Sequence, residues 1–91
     1  MVVRVEGELD VLTGPKLTAR LNALIRASTT DVVLDLRDVR FMDSAGLQIL
    51  LLTRRRLLRE SRALSVICAD GPVSRLIDLA RLTETLHVTN L

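Results

Sequence analysis

The stretch FMDSAGLQIL, Phe41 to Leu50, sets a carboxylate, a hydroxyl and a glycine between two apolar runs. Asp43-Ser44-Ala45-Gly46 supports three kinds of chemistry. Asp43 or Ser44 can cap a helix start, accepting from backbone N–H groups that have no partner inside the helix. Ser44 can be a nucleophile on a strand–turn–helix elbow, but that elbow reads G-x-S-x-G, and Met42 stands where its first glycine belongs. The base for such a nucleophile would have to be His87, the only histidine. Ser44 can also accept a phosphoryl group. A helix N-terminus tolerates a phosphate, because free N–H groups and the positive end of the dipole receive it. About −1.5 to −2 of new charge beside Asp43 would then repel a partner without unfolding the domain. Gly46 is unusual under every reading. A glycine in a first helical turn costs roughly 1 kcal/mol against alanine, which points to something approaching the backbone closely.

These residues need a strand before them and a helix after them. Val2 to Glu6 has valines alternating with charged residues and is closed by Gly7, which predicts a strand. ELDVLTGP follows as a loop. Thr13, Gly14 and Pro15 signal a helix start, with Leu17, Leu21, Leu24 and Ile25 on one face up to about Ala27. VVLDL, Val32 to Leu36, is a short β-branched strand, and RDVRFM carries the chain to the motif. Leu47 to about Arg59 is a second helix, LSVICA another buried strand, and DGP a turn into a third helix with Val73, Leu76, Ile77 and Ala80 on one face. LHV, Leu86 to Val88, is a last short strand. The order β-α-β-α-β-α-β predicts an α/β layer, a largely parallel sheet with helices packed on it, the first strand free to pair differently.

On the second helix, with Leu47 at the centre of the inner face, Leu50, Leu51, Leu57 and Leu58 fall inward. Ile49 and Leu52 point the other way, with Thr53 and Arg56 beside them. An apolar pair next to a switchable serine is a docking surface, unless a neighbouring element covers it.

Composition bounds the function. With 91 residues, 48% of them apolar, the chain fits one small folded domain, and Phe41, its sole aromatic residue, leaves the core to aliphatic side chains. The single cysteine, Cys68, is expected to be a small buried hydrophobe. A net charge of +2 is too small to argue for nucleic acid. The basic run TRRRLLRE has no interleaved aromatic residue, and its three successive arginines point three ways on a helix. The N-terminus has no leader pattern, and no apolar run is long enough to span a bilayer, so the expected location is the cytoplasm, away from membranes. No metal or cofactor is expected.

With VEGELD, VVLDLRDVRFMDSAGLQIL and LSVICADGPVSRLIDLARL in place, the chain resembles a STAS domain of the anti-sigma factor antagonist type over almost its whole length. The resemblance implies a mixed, largely parallel STAS sheet and a phosphoacceptor at Ser44, directly after the motif acid. It implies that a serine kinase doubling as anti-sigma factor, using its own ATP, phosphorylates Ser44. Unphosphorylated antagonist would bind that kinase and free the sigma factor. The phosphorylated form would let go, and a PPM-type phosphatase would reset it. Asp10, from GELD, would lie beside Ser44 and, with Asp43, shape recognition. The partner-binding set is Asp10, Asp43, Ser44, Ala45, Gly46, Ile49, Leu52, Thr53 and Arg56, in a protein that is not an enzyme.

The sequence also departs from the family pattern. Ala45 replaces a second hydroxyl residue, leaving Ser44 the only acceptor in the motif. Arg81 stands where many members have a glycine ending a helix. The single domain, residues 1–91, is short at both ends relative to the family, which would leave a sheet edge and apolar surface open for a homodimer. The alternative functions are a non-phosphorylated scaffold in a stressosome-like or lipid-transport complex, and a small hydrolase built on Ser44 and His87.

Overall fold

The structure, a computed structural model, describes residues 1–91. Its elements are β1 (Val2–Leu9), α1 (Gly14–Arg26), β2 (Val32–Met42), α2 (Ser44–Arg59), β3 (Leu64–Cys68), α3 (Pro72–Leu79) and β4 (Val88–Asn90). The sheet runs β1-β2-β3-β4, and all three pairings are parallel. The expected mixed pairing of the first strand is therefore corrected to parallel. Right-handed crossovers between successive neighbours all step the same way, so they put the three helices on one face of the sheet. Val3, Val5, Val32, Leu34, Leu64 and Val66 fill the core beneath them. No helix is long and apolar enough to cross a membrane.

Four boundaries differ from expectation. β1 does not stop at Gly7 but continues to Leu9, so Glu8 and Leu9 belong to a strand and not to a loop. Its register against β2 shifts between Arg4 and Glu6 and between Gly7 and Glu8. Gly7, at φ +85, absorbs the second irregularity in a backbone state that side chains disfavour. β2 runs unbroken to Met42, and α2 begins at Ser44 instead of Leu47. The last strand is Val88–Asn90, while Leu86 is a fully buried core residue ahead of it. Ala80, expected on the inner face of α3, is exposed.

Two helices end in the same hydrogen-bond pattern. After α3, the Arg81 N–H donates to the Asp78 carbonyl and the Leu82 N–H to that of Ile77. After α2, the Ser61 N–H donates to Leu58 and the Arg62 N–H to Leu57. Arg81 and Ser61 sit at φ +59 and +56, where such a motif prefers glycine. Arg62 then turns inward. Its Nε donates to the Thr30 carbonyl and its Nη1 to that of Ile25, tying the ends of α1 and α2 together.

On the uncovered sheet face Asp35 lies in register between Arg4 of β1 and Ile67 of β3. Both its oxygens accept from the Arg37 side chain, at 3.0 and 2.9 Å, and one also accepts the Arg37 N–H. These bonds, with the Arg37 charge, hold its pKa at about 2. Across the sheet, burial and then the Asp35 charge push the Cys68 thiol up to about 11, which keeps it protonated and unreactive.

Two outcomes follow. Arg81→Gly should raise stability by about 0.5–1 kcal/mol in a denaturant titration, by relieving the left-handed residue. Asp35 has its carboxyl pKa lowered from 3.8 to about 2, so its contribution is full above pH 4 and lost as pH falls through 2. Asp35→Asn should therefore melt below the wild type at pH 7, with the gap closing between pH 4 and pH 2.

Candidate functional site

The site is built where β1 and β2 end together. Leu9 is in register with Met42, and the Asp43 N–H donates to the Leu9 carbonyl at 3.3 Å. Asp43 is extended and caps α2, its Oδ1 accepting from the N–H groups of Ala45 at 2.9 Å and Gly46 at 3.3 Å. The Leu47 N–H goes to the Asp43 carbonyl. Of the two cap candidates, Asp43 takes the role. It also uses the N–H groups that were expected to receive a phosphate. Ser44, the first helical residue, is left exposed with its hydroxyl free of any hydrogen bond within the chain.

Gly46 explains itself here. A Cβ on it would stand 2.9 Å from the Leu9 carbonyl oxygen and collide with the Met42 side chain. The close approach inferred from the sequence is made by the chain's own strand ends. It also sets the rotation of the helix: Gly46, Leu50, Thr53 and Leu57, spaced i, i+4, i+7, i+11, face the sheet and are buried. The expected inner face centred on Leu47 is thus rotated. Leu51 and Leu58 are exposed, and Leu47 is only half-buried.

That rotation redistributes the expected partner-binding set. Ile49 is half-buried against the start of α1, close to Gly14. Thr53 is buried, and its hydroxyl donates to the Ile49 carbonyl at 2.7 Å. The half-buried Arg56 donates to the Asn22 side chain of α1. Ile49 and Arg56 form the α1–α2 seam, with Thr53 buried on its inner side, the covering element having arrived as a helix. Leu52, at 52% exposed, is the member of the apolar pair that stays open.

Asp10 begins the β1–α1 loop. Its Oδ1 accepts from the N–H groups of Leu12 at 2.9 Å and Thr13 at 3.0 Å, and the Thr13 bond foremost holds its pKa below the usual carboxylate value. The Thr13 hydroxyl, expected to cap α1, instead donates to the Glu8 carbonyl at 2.6 Å. The loop thrusts Val11 and Leu12 into solvent. An open groove of about 560 Å³ runs between α1 and α2, with Asp10, Val11, Ala45, Gln48 and Ile49 along it. Asp10 and Ala45 share this groove, whereas Ser44 opens on the other side of the helix start, beside Leu51 and Leu52.

The Ser44–His87 pair does not form. The register puts His87 one residue before Val88, which pairs with Val66, in turn level with Leu34. Ser44 lies beyond Met42, at the far end of β2, roughly 25–30 Å of extended strand away. No group of His, Cys, Asp and Glu side chains is arranged to hold a metal ion.

Comparison with known proteins agrees with this geometry. Residues 1–90 match the family model described as STAS domain. An anti-sigma-B factor antagonist of Staphylococcus aureus is 33% identical over 86 residues, covering 94% of this chain and 80% of the relative. The crystal structure of an anti-sigma factor antagonist from Mycobacterium paratuberculosis aligns with a TM-score of 0.87 at 34% identity, over 96% of this chain and 74% of that one. The anti-sigma factor antagonist SpoIIAA in its unphosphorylated form aligns with a TM-score of 0.62 at 26% identity, over 84% and 69% of the two chains. The chain therefore belongs to the STAS domain family and, within it, to the anti-sigma factor antagonists.

Gly46→Ala separates a packing role from a propensity effect. Helix propensity alone would stabilise the protein by up to about 1 kcal/mol. The contact with the Leu9 carbonyl predicts the opposite, a loss of about 1–3 kcal/mol from overpacking, read as a lower thermal midpoint.

Proposed function

We propose that this chain is a phospho-switched binding module that acts on an anti-sigma factor with serine kinase activity. Unphosphorylated, it binds that kinase and releases the sigma factor. Phosphorylation of Ser44 by the kinase, using ATP bound to the kinase, ends the interaction, and a PPM-type phosphatase restores it. The chain itself supplies a surface and an acceptor, not catalysis, and works in the cytoplasm with its partners. The unpaired outer edge of β1 is where a homodimer would add its second copy.

One observation carries this reading. The Ser44 hydroxyl is exposed and unbonded at the head of a helix whose cap is supplied by a different residue. A serine used only as a cap would be turned toward the N–H groups that Asp43 occupies. The surfaces a partner needs lie to either side of the helix start: Leu52 beside Ser44, and across it the α1–α2 groove with Val11, and Leu12 on the same loop. Asp10 and Asp43 act by holding the loop and the helix start in shape. Ala45 and Ile49 line the groove, and Gly46, Thr53 and Arg56 support it from within. A phosphate would join the Asp43 carboxylate with few backbone N–H groups left to neutralise it, so its charge would face the partner.

The test is binding and phosphorylation with a purified cognate kinase. Ser44→Ala should bind like the wild type and take no phosphate. Ser44→Asp should lose at least tenfold in affinity, about 1.4 kcal/mol or more, in isothermal titration calorimetry. Wild-type affinity in Ser44→Asp, with no phosphate on Ser44 in cells, would instead favour a permanent scaffold role.

A further inference from the structure

The outward face of α2 carries a pattern that shares only Gln48 with the α1–α2 groove and is not used by the cap. Leu51 and Leu58, seven residues apart, are 36% and 49% exposed. Ser44 lies seven residues before Leu51. Two shallow depressions follow this line. The first, about 340 Å³, is bordered by Ser44, Leu47, Gln48 and Leu51, and also by Leu52, Arg55 and Leu82. The second, about 430 Å³, is bordered by Leu51, Arg54, Arg55 and Leu58, with Arg59 beside them. Each quartet has the spacing i, i+3, i+4, i+7. That is the four-residue hole into which a side chain of a second helix seats when helices pack side by side. The two holes repeat at seven residues, so one partner helix can fill both with side chains a heptad apart.

Charge selects the partner. Arg54, Arg55 and Arg59 take part in none of the ion pairs of the chain. No acidic residue borders either depression. The guanidinium groups of Arg54 and Arg55 stand between Leu51 and Leu58, so this side lacks the separate apolar face with which a helix lies in a membrane interface. No aromatic side chain borders the holes to stack on bases. An apolar ridge flanked by carboxylates fits both the holes and the arginines.

We propose that the outward face of α2 docks an acidic amphipathic helix of a partner protein, with Ser44 forming part of the terminal hole. The proposal deepens the function above and rests on it in one respect: a phosphate on Ser44 fills that hole and sets negative charge against an acidic helix.

The probe is a synthetic, fluorescently labelled peptide of three heptads, with leucine at the first and fourth position of each and glutamate flanking them. A control peptide carries lysine for every glutamate. Fluorescence anisotropy with the full 91-residue chain should show saturable binding of the acidic peptide only. Leu58→Ala and Arg55→Glu should each weaken it at least tenfold while melting like the wild type, since both side chains are exposed. The proposal is overturned if the two peptides bind alike, if neither binds, or if both variants keep full affinity. It is also overturned if the peptide fails while phosphatidylserine vesicles, a DNA oligonucleotide or a second copy of the chain binds in a manner abolished by Arg55→Glu. Ser44→Asp should weaken the acidic peptide as well. Full binding by that variant supports the docking face and removes only the phosphate's part in it, which separates the two readings.

Discussion

Helix α2 can start where it does only because Gly46 has no side chain. The space a Cβ would need is held by the Leu9 carbonyl and the Met42 side chain, the last residues of two neighbouring strands. With the helix start pressed onto those strand ends, everything around it is placed. Asp43 falls at the cap, Ser44 is turned to solvent, and Leu50, Thr53 and Leu57 take the inward positions. The same rotation hands Ile49 and Arg56 to α1 and leaves a leucine–arginine face outward.

The sheet makes that placement rigid at modest size. Four parallel strands in sequence order put every helix on one face, and the apolar residues of β1, β2 and β3 form one aliphatic layer beneath them. The other face is held by polar means, the Asp35–Arg37 pair foremost. The buried Arg62 does similar work at the far end, where it donates to carbonyls of the last turn of α1 and of its following loop. Cys68, fully buried and shifted toward the thiol, makes redox control of this fold by that residue unfavourable.

Much of this was legible in the residues. The alternation of strands and helices, the apolar face of α1, most of that of α3 and a cap at Asp43 or Ser44 follow from periodicity, turn residues and capping chemistry. The inward face of α2 did not follow, because leucine occupies Leu47, Leu50, Leu51, Leu52, Leu57 and Leu58, and hydrophobicity cannot orient a helix that is apolar on several sides. Gly46 was the missing signal: a glycine whose Cβ is excluded marks the face that touches, and Leu50, Thr53 and Leu57 follow from it. Gly7 misled in the other direction, since a glycine that ends one strand can serve as an irregularity inside another. Arg62 gave no local hint at all, because its partners Ile25 and Thr30 are more than thirty residues away. Arg81 was flagged by resemblance, and its backbone is left-handed, a state that glycine adopts without strain.

The cap that Asp43 makes has a consequence for range. Because the Ala45 and Gly46 N–H groups already serve that carboxylate, a phosphate on Ser44 would be offset mainly by water and salt. At physiological ionic strength such a charge fades over about 8 Å. Its influence would be confined to the partner atoms in immediate contact with the head of α2, and it would weaken as salt rises. A phosphate placed there would be felt only by a partner already at close quarters, with no route through the core of the domain.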